Sequence, residues 1–103
     1  MNAARIKMLE TFRAEDPTDP FPVYALALEY QQTDREKARQ LYELLLDKYA
    51  DYLPTYYMAG NFFMEQDDLT RAGELWQHGL VIAKAQADYG TMKELQAALD
   101  ALE

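Results

Sequence analysis

The sequence predicts an all-α fold in which antiparallel helix pairs stack as a short right-handed α-solenoid of about six helices. The first observation behind this prediction is an internal repeat of residue types at an offset of 34 positions. Gln32, Asp34, Ala38, Leu41 and Leu46 recur as Gln66, Asp68, Ala72, Leu75 and Leu80. The second observation is that large, small and aromatic residues alternate at helical spacing in both copies. A fixed period of this length is typical of stacked helical repeats, so we expect function on a surface and not in a reactive pocket.

The first predicted helix spans residues 3–15. It ends before Asp16-Pro17, because a residue that precedes proline avoids helical geometry. Shifted by 34 positions, Met8 falls on Tyr42 and Phe12 falls on Leu46. This segment therefore resembles the second helix of a repeat whose first helix is missing.

The first helix pair is predicted within residues 20–50. Its first helix runs roughly from 21 to 32 and carries Pro22 in the first turn, where proline is tolerated. Thr33 or Asp34 then caps the second helix, which continues to about residue 49.

The second helix pair is predicted within residues 53–87. A proline near its start favours a helix from about 55 to 66. Asp67 and Asp68 then cap a helix that continues to about residue 87, where the turn Asp88-Tyr89-Gly90 ends it.

A last helix is predicted over residues 91–102, with Leu95 and Leu99 on its apolar face. Its expected role is to cover the apolar end of the stack, as the terminal segments of repeat proteins do. Together these elements predict one domain over residues 1–103, which is near the usual domain size.

The repeated segments carry a recognisable packing pattern. The second copy reads Tyr56-x-x-Ala59-Gly60-x-x-Phe63 and then Ala72-x-x-x-Trp76. The first copy reads Val23-x-x-Leu26-Ala27-x-x-Tyr30 and then Ala38-x-x-x-Tyr42. This pattern resembles the tetratricopeptide repeat, a helix-turn-helix unit of helices A and B, and the chain looks like a small bacterial two-repeat protein of that family.

The chain departs from the family pattern in two places. The turn over residues 31–37 is one residue shorter than its counterpart in the second copy, and Ala50 and Lys84 stand where a proline is usual after helix B. Neither departure changes the repeat. Trp76, with Tyr42 as its counterpart, is expected in the core between helices A and B.

Composition and charge exclude several classes of function. The 18 acidic and 10 basic residues give a net charge of −8, which opposes binding to nucleic acid or to an anionic membrane surface and favours a basic partner. The absence of cysteine excludes disulfides and thiolate chemistry. No apolar run has the length of a membrane span, and residues 1–7 lack the apolar segment of a signal peptide, so we expect a cytoplasmic protein.

A search for reactive residues predicts no enzyme, no cofactor and no metal site. His78 lies in the middle of a predicted helix without a second histidine or a cysteine nearby in sequence. The pair Asp67-Asp68 is explained as helix capping. The four glycines are dispersed, so no glycine-rich phosphate loop is present.

The resemblance implies a non-enzymatic module that binds a protein or peptide on a concave face formed by the A helices. By position, the partner-binding residues would be Tyr24, Leu28, Gln31, Tyr57, Asn61, Met64 and Glu65. An aromatic and methionine-bearing strip with amides suits a peptide ligand. Both A helices lack lysine and arginine, which disfavours the carboxylate-terminated chaperone tails that some family members bind.

Two alternatives remain open at this stage. The first helix presents Ile6, Met8, Leu9 and Phe12, more apolar surface than one packed face needs, so it could pair with its copy in a homodimer. Alternatively, the chain could be an accessory or regulatory subunit of an enzyme. The candidate partner-binding residues of the A helices could also pack internally or face water instead of binding a partner.

Overall fold

The computed structural model describes residues 2–102, and these form six α-helices and no β-strand. The helices are α1 (Ala3–Glu15), α2 (Phe21–Tyr30), α3 (Arg35–Lys48), α4 (Pro54–Glu65), α5 (Leu69–Ala85) and α6 (Tyr89–Asp100). The predicted all-α class is confirmed. The helices divide into two compact units, with the boundary between Tyr52 and Leu53. The first unit holds α1–α3 and the second holds α4–α6.

In the first unit, α2 packs against both α1 and α3. Its core is built from apolar residues of all three helices, namely Leu9, Val23, Leu26, Ala27, Ala38, Tyr42 and Leu45. An ion pair links α1 to α2, because Arg5 Nε lies 2.6 Å from Glu29 Oε1. Small residues at Ala27 and Ala38 are fully buried, as close packing of neighbouring helices requires.

The segment between α1 and α2 is held by polar contacts. The Asp16 carboxylate accepts hydrogen bonds from the Thr18 hydroxyl at 2.6 Å and from the Thr18 backbone N–H at 3.1 Å. These bonds favour the ionised form and lower the pKa of Asp16. In the same loop, the Pro17 carbonyl accepts a hydrogen bond from the Tyr49 hydroxyl, which follows α3, at 2.5 Å. The end of α3 is thereby fixed to the loop that follows α1.

In the second unit, α5 packs against both α4 and α6. The indole of Trp76 on α5 lies against Gly60 on α4, where a Cβ atom would be 2.1 Å from Trp76 Nε1. Further along α5, Gly79 lies against Tyr56 and Leu95, with 2.7 Å between a Cβ built at position 79 and the Tyr56 Cβ. Both glycines allow a large side chain from a neighbouring helix to reach the helix backbone.

Three aspartates cap helices in the same way. The Asp34 carboxylate accepts from the Lys37 N–H at 3.1 Å, that of Asp68 from the Arg71 N–H at 3.0 Å, and that of Asp88 from the Thr91 N–H at 3.1 Å. Each bond satisfies one of the backbone donors left unpaired in the first helical turn. Of the two caps considered for α3, the structure has Asp34 and not Thr33.

The residue before two of these caps has left-handed backbone geometry. Asp67 has a φ of 62° and Ala87 a φ of 55°, and no other non-glycine residue in 2–102 has a positive φ. The left-handed residue reverses the chain at the end of a helix and lets the next helix begin directly after it. The turn before Asp34 has no such residue, and four residues separate α2 from α3, whereas three separate α4 from α5.

The helix ends differ from the predicted ones by one or two residues. The turn expected at Asp88-Tyr89-Gly90 lies earlier in the chain, because Asp88 is the N-cap of α6 and Tyr89 and Gly90 belong to that helix. Consequently α6 spans Tyr89–Asp100 instead of 91–102. Helix α2 ends at Tyr30 instead of at residue 32. No helix in residues 2–102 is long and apolar enough to cross a membrane.

Candidate protein-interaction site

One side of α4 carries the predicted binding residues of the second unit. Tyr57, Asn61 and Met64 follow one another at helical spacing, with Glu65 next to them, and we call these four residues the α4 strip. Tyr57 and Asn61 are half-buried, Met64 is 38% exposed and Glu65 is exposed. The other side of α4 packs in the core, and its buried residues include Tyr56, Ala59, Gly60, Phe62 and Phe63. The four residues of the strip are thus among those of α4 that are not buried.

The backbone beneath the α4 strip is fixed by the core. Trp76 Nε1 donates a hydrogen bond to the Tyr57 carbonyl oxygen at 3.2 Å. The same indole is seated on Gly60, one helical turn further along α4. Because the tryptophan is only 1% exposed, it holds this part of α4 without reaching the outer surface itself. The position of the Tyr57 side chain thus depends on the contact between Trp76 and Gly60.

The predicted binding residues of the first unit lie on α2 and are partly used for packing. Tyr24, Leu28 and Gln31 are all half-buried. The Tyr24 ring meets the Tyr52 ring edge-on, with 5.7 Å between centroids and 71° between planes. Burial raises the pKa of the Tyr24 hydroxyl, and the neighbouring Tyr52 adds to the effect.

Gln31 has a structural role that the sequence did not reveal. Its Oε1 atom accepts a hydrogen bond from the hydroxyl of buried Tyr42 at 2.8 Å. Tyr42 is the first-copy counterpart of Trp76 and is buried in the core. The bond to Gln31 gives its hydroxyl, the one polar group of the side chain, a hydrogen-bond partner. A partner could still contact Gln31 through its amide nitrogen or through the second lone pair of Oε1.

The apolar residues of α1 have two different environments. Met8 and Phe12 are 47% and 46% exposed, whereas Leu9 is only 2% exposed and Ile6 is half-buried. Leu9 was expected on a dimer surface, and this part of the prediction is wrong because Leu9 lies on the inward side of α1, in the core of the first unit. Met8 and Phe12 are the exposed apolar pair.

A cleft in the first unit was not predicted. It has a volume of about 430 Å³ and is lined by Glu10, Arg13, Ala14, Pro17, Leu44, Lys48 and Tyr49. The residues come from α1, from the loop after it and from the end of α3. They are brought together by the bond between Tyr49 and Pro17, which are 32 positions apart. A short repeat pattern contains no signal for a contact at that separation.

Reactive groups are dispersed in the described part of the chain. His78 is exposed on α5, with its ring centroid 5.0 Å from that of Tyr56. Within residues 2–102 no three histidine, aspartate or glutamate side chains are grouped so that they could hold a metal ion. Asp68 is engaged at the start of α5 as a cap.

Two solved structures resemble this chain closely. One is the solution NMR structure of a tetratricopeptide repeat domain protein from Salinibacter ruber, with a TM-score of 0.79 and 34% sequence identity, over 85% of this chain and 90% of that one. The other is a crystal structure of a tetratricopeptide repeat domain protein from the same organism, with a TM-score of 0.74 and 32% identity, over 82% of this chain and 99% of that one. No protein-family model and no curated protein sequence matches the chain.

The fold, the repeat and these similarities define the class of protein. The chain belongs to the tetratricopeptide repeat family. The resemblance drawn from the packing residues is thereby confirmed, and so is the all-α repeat fold. Membership of this family suggests a protein-interaction module in general terms.

Proposed function

We propose that this protein is a non-enzymatic interaction module that binds a peptide segment of another protein along the α4 strip. The observation that carries the proposal is the division of α4 into two sides. One side is buried in the core of the second unit, while Tyr57, Asn61, Met64 and Glu65 remain accessible in varying degree. The strip combines a ring, an amide, a thioether and a carboxylate in less than three helical turns.

The chemistry of the α4 strip suits a peptide backbone with mixed side chains. Tyrosine offers a large contact area with few rotatable bonds, so little conformational entropy is lost on binding. The Asn61 amide can donate to and accept from a peptide group. Met64 has a flexible thioether that adapts to apolar side chains of different shape.

The charge of the site favours a basic or neutral peptide. Glu65 is the only charged residue of the strip, and α4 contains no lysine or arginine. The net charge of −8 adds a long-range attraction for basic partners and a repulsion for phosphate-rich ones. The accessible part of α2, with Tyr24 and Leu28, offers a second aromatic and apolar contact area in the first unit.

The alternatives differ in what the partner is. An accessory subunit of an enzyme would use the same α4 strip, and its partner would be the enzyme. Self-assembly through α1 would use other residues, in the first unit. Because the contact area of one helix face is small, we expect micromolar affinity for a single peptide.

A peptide array tests the proposal. The native chain is compared with the Tyr57→Ala/Asn61→Ala variant, and a control variant, Tyr89→Ala/Gln77→Ala, removes a similar ring and amide from exposed positions outside the strip. We expect the native chain and the control to bind the same basic or neutral peptides, and the strip variant to lose that binding. Circular dichroism confirms that both variants are folded. Binding that survives in the strip variant would refute the site.

A further inference from the structure

The exposed residue Met8 on α1 occupies a position that is buried in the helices α3 and α5 of the two repeats. At successive offsets of 34 residues, Met8 corresponds to Tyr42 on α3 and to Trp76 on α5. Met8 is 47% exposed, whereas Tyr42 and Trp76 are 0% and 1% exposed. Trp76 is covered because it packs on Gly60 of the antiparallel partner helix α4. Met8 therefore lies on a helix face that elsewhere in this chain packs against an antiparallel helix.

This face of α1 has the spacing of a helix-pairing seam. Arg5, Met8, Phe12 and Glu15 follow one another at intervals of three, four and three residues, which is the a/d pattern of a heptad repeat. We call these four residues the α1 seam. Leu9, on the inward side, lies about 100° around the helix from Met8 and about 40° from Arg5, so the seam borders the inward side, and its two apolar members are about half-exposed. A second helix laid along the seam would cover both of them.

We propose that the α1 seam pairs with the same seam of a second copy in an antiparallel dimer. In the register centred on position 10, Met8 of each chain meets Phe12 of the other, and Arg5 of each chain meets Glu15 of the other. Apolar groups thus meet at the centre, and opposite charges meet at both ends. A parallel pairing would instead bring arginine against arginine and glutamate against glutamate, so the order of charges selects the antiparallel arrangement.

The charges around the seam are compatible with this arrangement. Arg5 already binds Glu29 of α2 through Nε, and its guanidinium has further N–H donors for a second carboxylate. Lys7 and Glu10 point away from the seam, because they lie about 100° and 160° around the helix from Met8. Glu29 is the charged residue of α2 that faces this end of the seam. An interface in which the same patch contacts itself closes with two copies and leads to no larger assembly.

Charge exchange on the seam provides the test. The full chain is studied by analytical ultracentrifugation from micromolar to millimolar concentration as the native protein, as Arg5→Glu, as Glu15→Arg and as an equimolar mixture of these two variants. The controls are Lys7→Glu and Glu10→Arg, which make the same charge changes off the seam. Circular dichroism confirms that each variant is helical.

The expected result is specific to the proposed register. The native chain and both controls should dimerise, and each seam variant alone should dimerise at least about tenfold more weakly, because both ends of its seam carry like charges. The mixture should restore dimerisation, since one chain then presents only carboxylates and the other only guanidinium groups. A native chain that is monomeric at millimolar concentration would overturn the proposal. So would seam variants that dimerise like the native chain, or a mixture that stays monomeric. None of these outcomes bears on peptide binding by the α4 strip, which lies in the other unit.

Discussion

Trp76 packs its indole directly against the backbone of Gly60, and its Nε1 atom donates to the carbonyl oxygen of Tyr57 three residues earlier on the same helix. One buried side chain therefore does two things. It fills the space between α4 and α5, and it fixes the stretch of α4 that presents the α4 strip. Stability of the second unit and the shape of the proposed binding site are coupled through this contact.

The first prediction concerns the space at Gly60. A methyl group at this position would lie 2.1 Å from Trp76 Nε1, so Gly60→Ala must displace the indole and break its bond to Tyr57. We expect a loss of about 2–3 kcal/mol in the free energy of unfolding, measured by urea denaturation. Gly90→Ala is the matched control, because the nearest atom to its methyl group is Asp88 Oδ1 at 3.8 Å. The control should be neutral or up to about 1 kcal/mol more stable. Equal stabilities of the two variants would contradict the packing described for Trp76.

The second prediction concerns the left-handed residue between α5 and α6. Ala87 has a φ of 55°, which costs free energy for any residue with a Cβ atom. We expect Ala87→Gly to raise the free energy of unfolding by about 0.5–1 kcal/mol. Ala97→Gly, within α6, should lower it by a similar amount, because glycine is unfavourable inside a helix. A destabilising effect of both changes, measured by thermal denaturation, would show that residue 87 is not left-handed.

The third prediction concerns a buried hydroxyl. Thr55 on α4 is 1% exposed, and its Oγ1 atom has no hydrogen-bond partner among residues 2–102. Thr55→Val keeps the shape of the side chain and removes the unpaired polar atom, so we expect about 1 kcal/mol of added stability. Thr55→Ser keeps the hydroxyl and loses the methyl group, and should cost about 1 kcal/mol. If the valine variant were the less stable of the two in chemical denaturation, the hydroxyl would have to be hydrogen-bonded in solution.

The fourth prediction concerns stability at alkaline pH. Burial raises the pKa of Tyr24 and, with a further contribution from Asp19, that of Tyr52 above the ordinary value of 10.0. Folding therefore favours the protonated hydroxyls. The stabilisation is fully present below pH 10 and is lost as the pH rises through the raised values.

Absorbance titration of the tyrosinates at 295 nm should show late-titrating groups in the native chain, with Tyr24 and Tyr52 among them. Tyr24→Phe should remove one of them and reduce the fall in melting temperature above pH 10. Tyr89→Phe, at a position that is 69% exposed, is the control and should leave the late-titrating groups unchanged. A native titration curve with a single normal pKa would contradict the packing of Tyr24 on Tyr52.

Much of the fold could be predicted from the sequence because the repeat specifies it twice. The spacing from Ala38 to Tyr42 and from Ala72 to Trp76 predicted the core contacts between helices A and B, and both aromatic residues are buried. The caps Asp34 and Asp68 were predictable because capping is local to four residues, whereas Asp88 was expected in a turn and not as a cap. The left-handed geometry of Ala87 was not, since alanine has no preference for it and the chain adopts it only to join two packed helices.

The candidate site was less predictable than the fold. Repeat register indicated which residues of α4 avoid the core, but it could not reveal that Gln31 accepts a bond from Tyr42. It also did not reveal the cleft beside Tyr49, because its lining residues come from distant parts of the chain. In α1, Met8 and Leu9 were both named for a possible dimer surface, whereas helical geometry separates neighbouring residues by about 100° and only Leu9 of the two is buried.

NMR titration tests most directly whether α4 presents the binding surface. The isotopically labelled chain is titrated with a peptide that it binds on the array, and backbone and side-chain amide shifts are followed. We expect the largest changes on Tyr57, on the Asn61 side-chain amide, and on Met64 and Glu65. Changes concentrated instead on the cleft of Arg13, Lys48 and Tyr49, with the α4 strip unaffected, would contradict it.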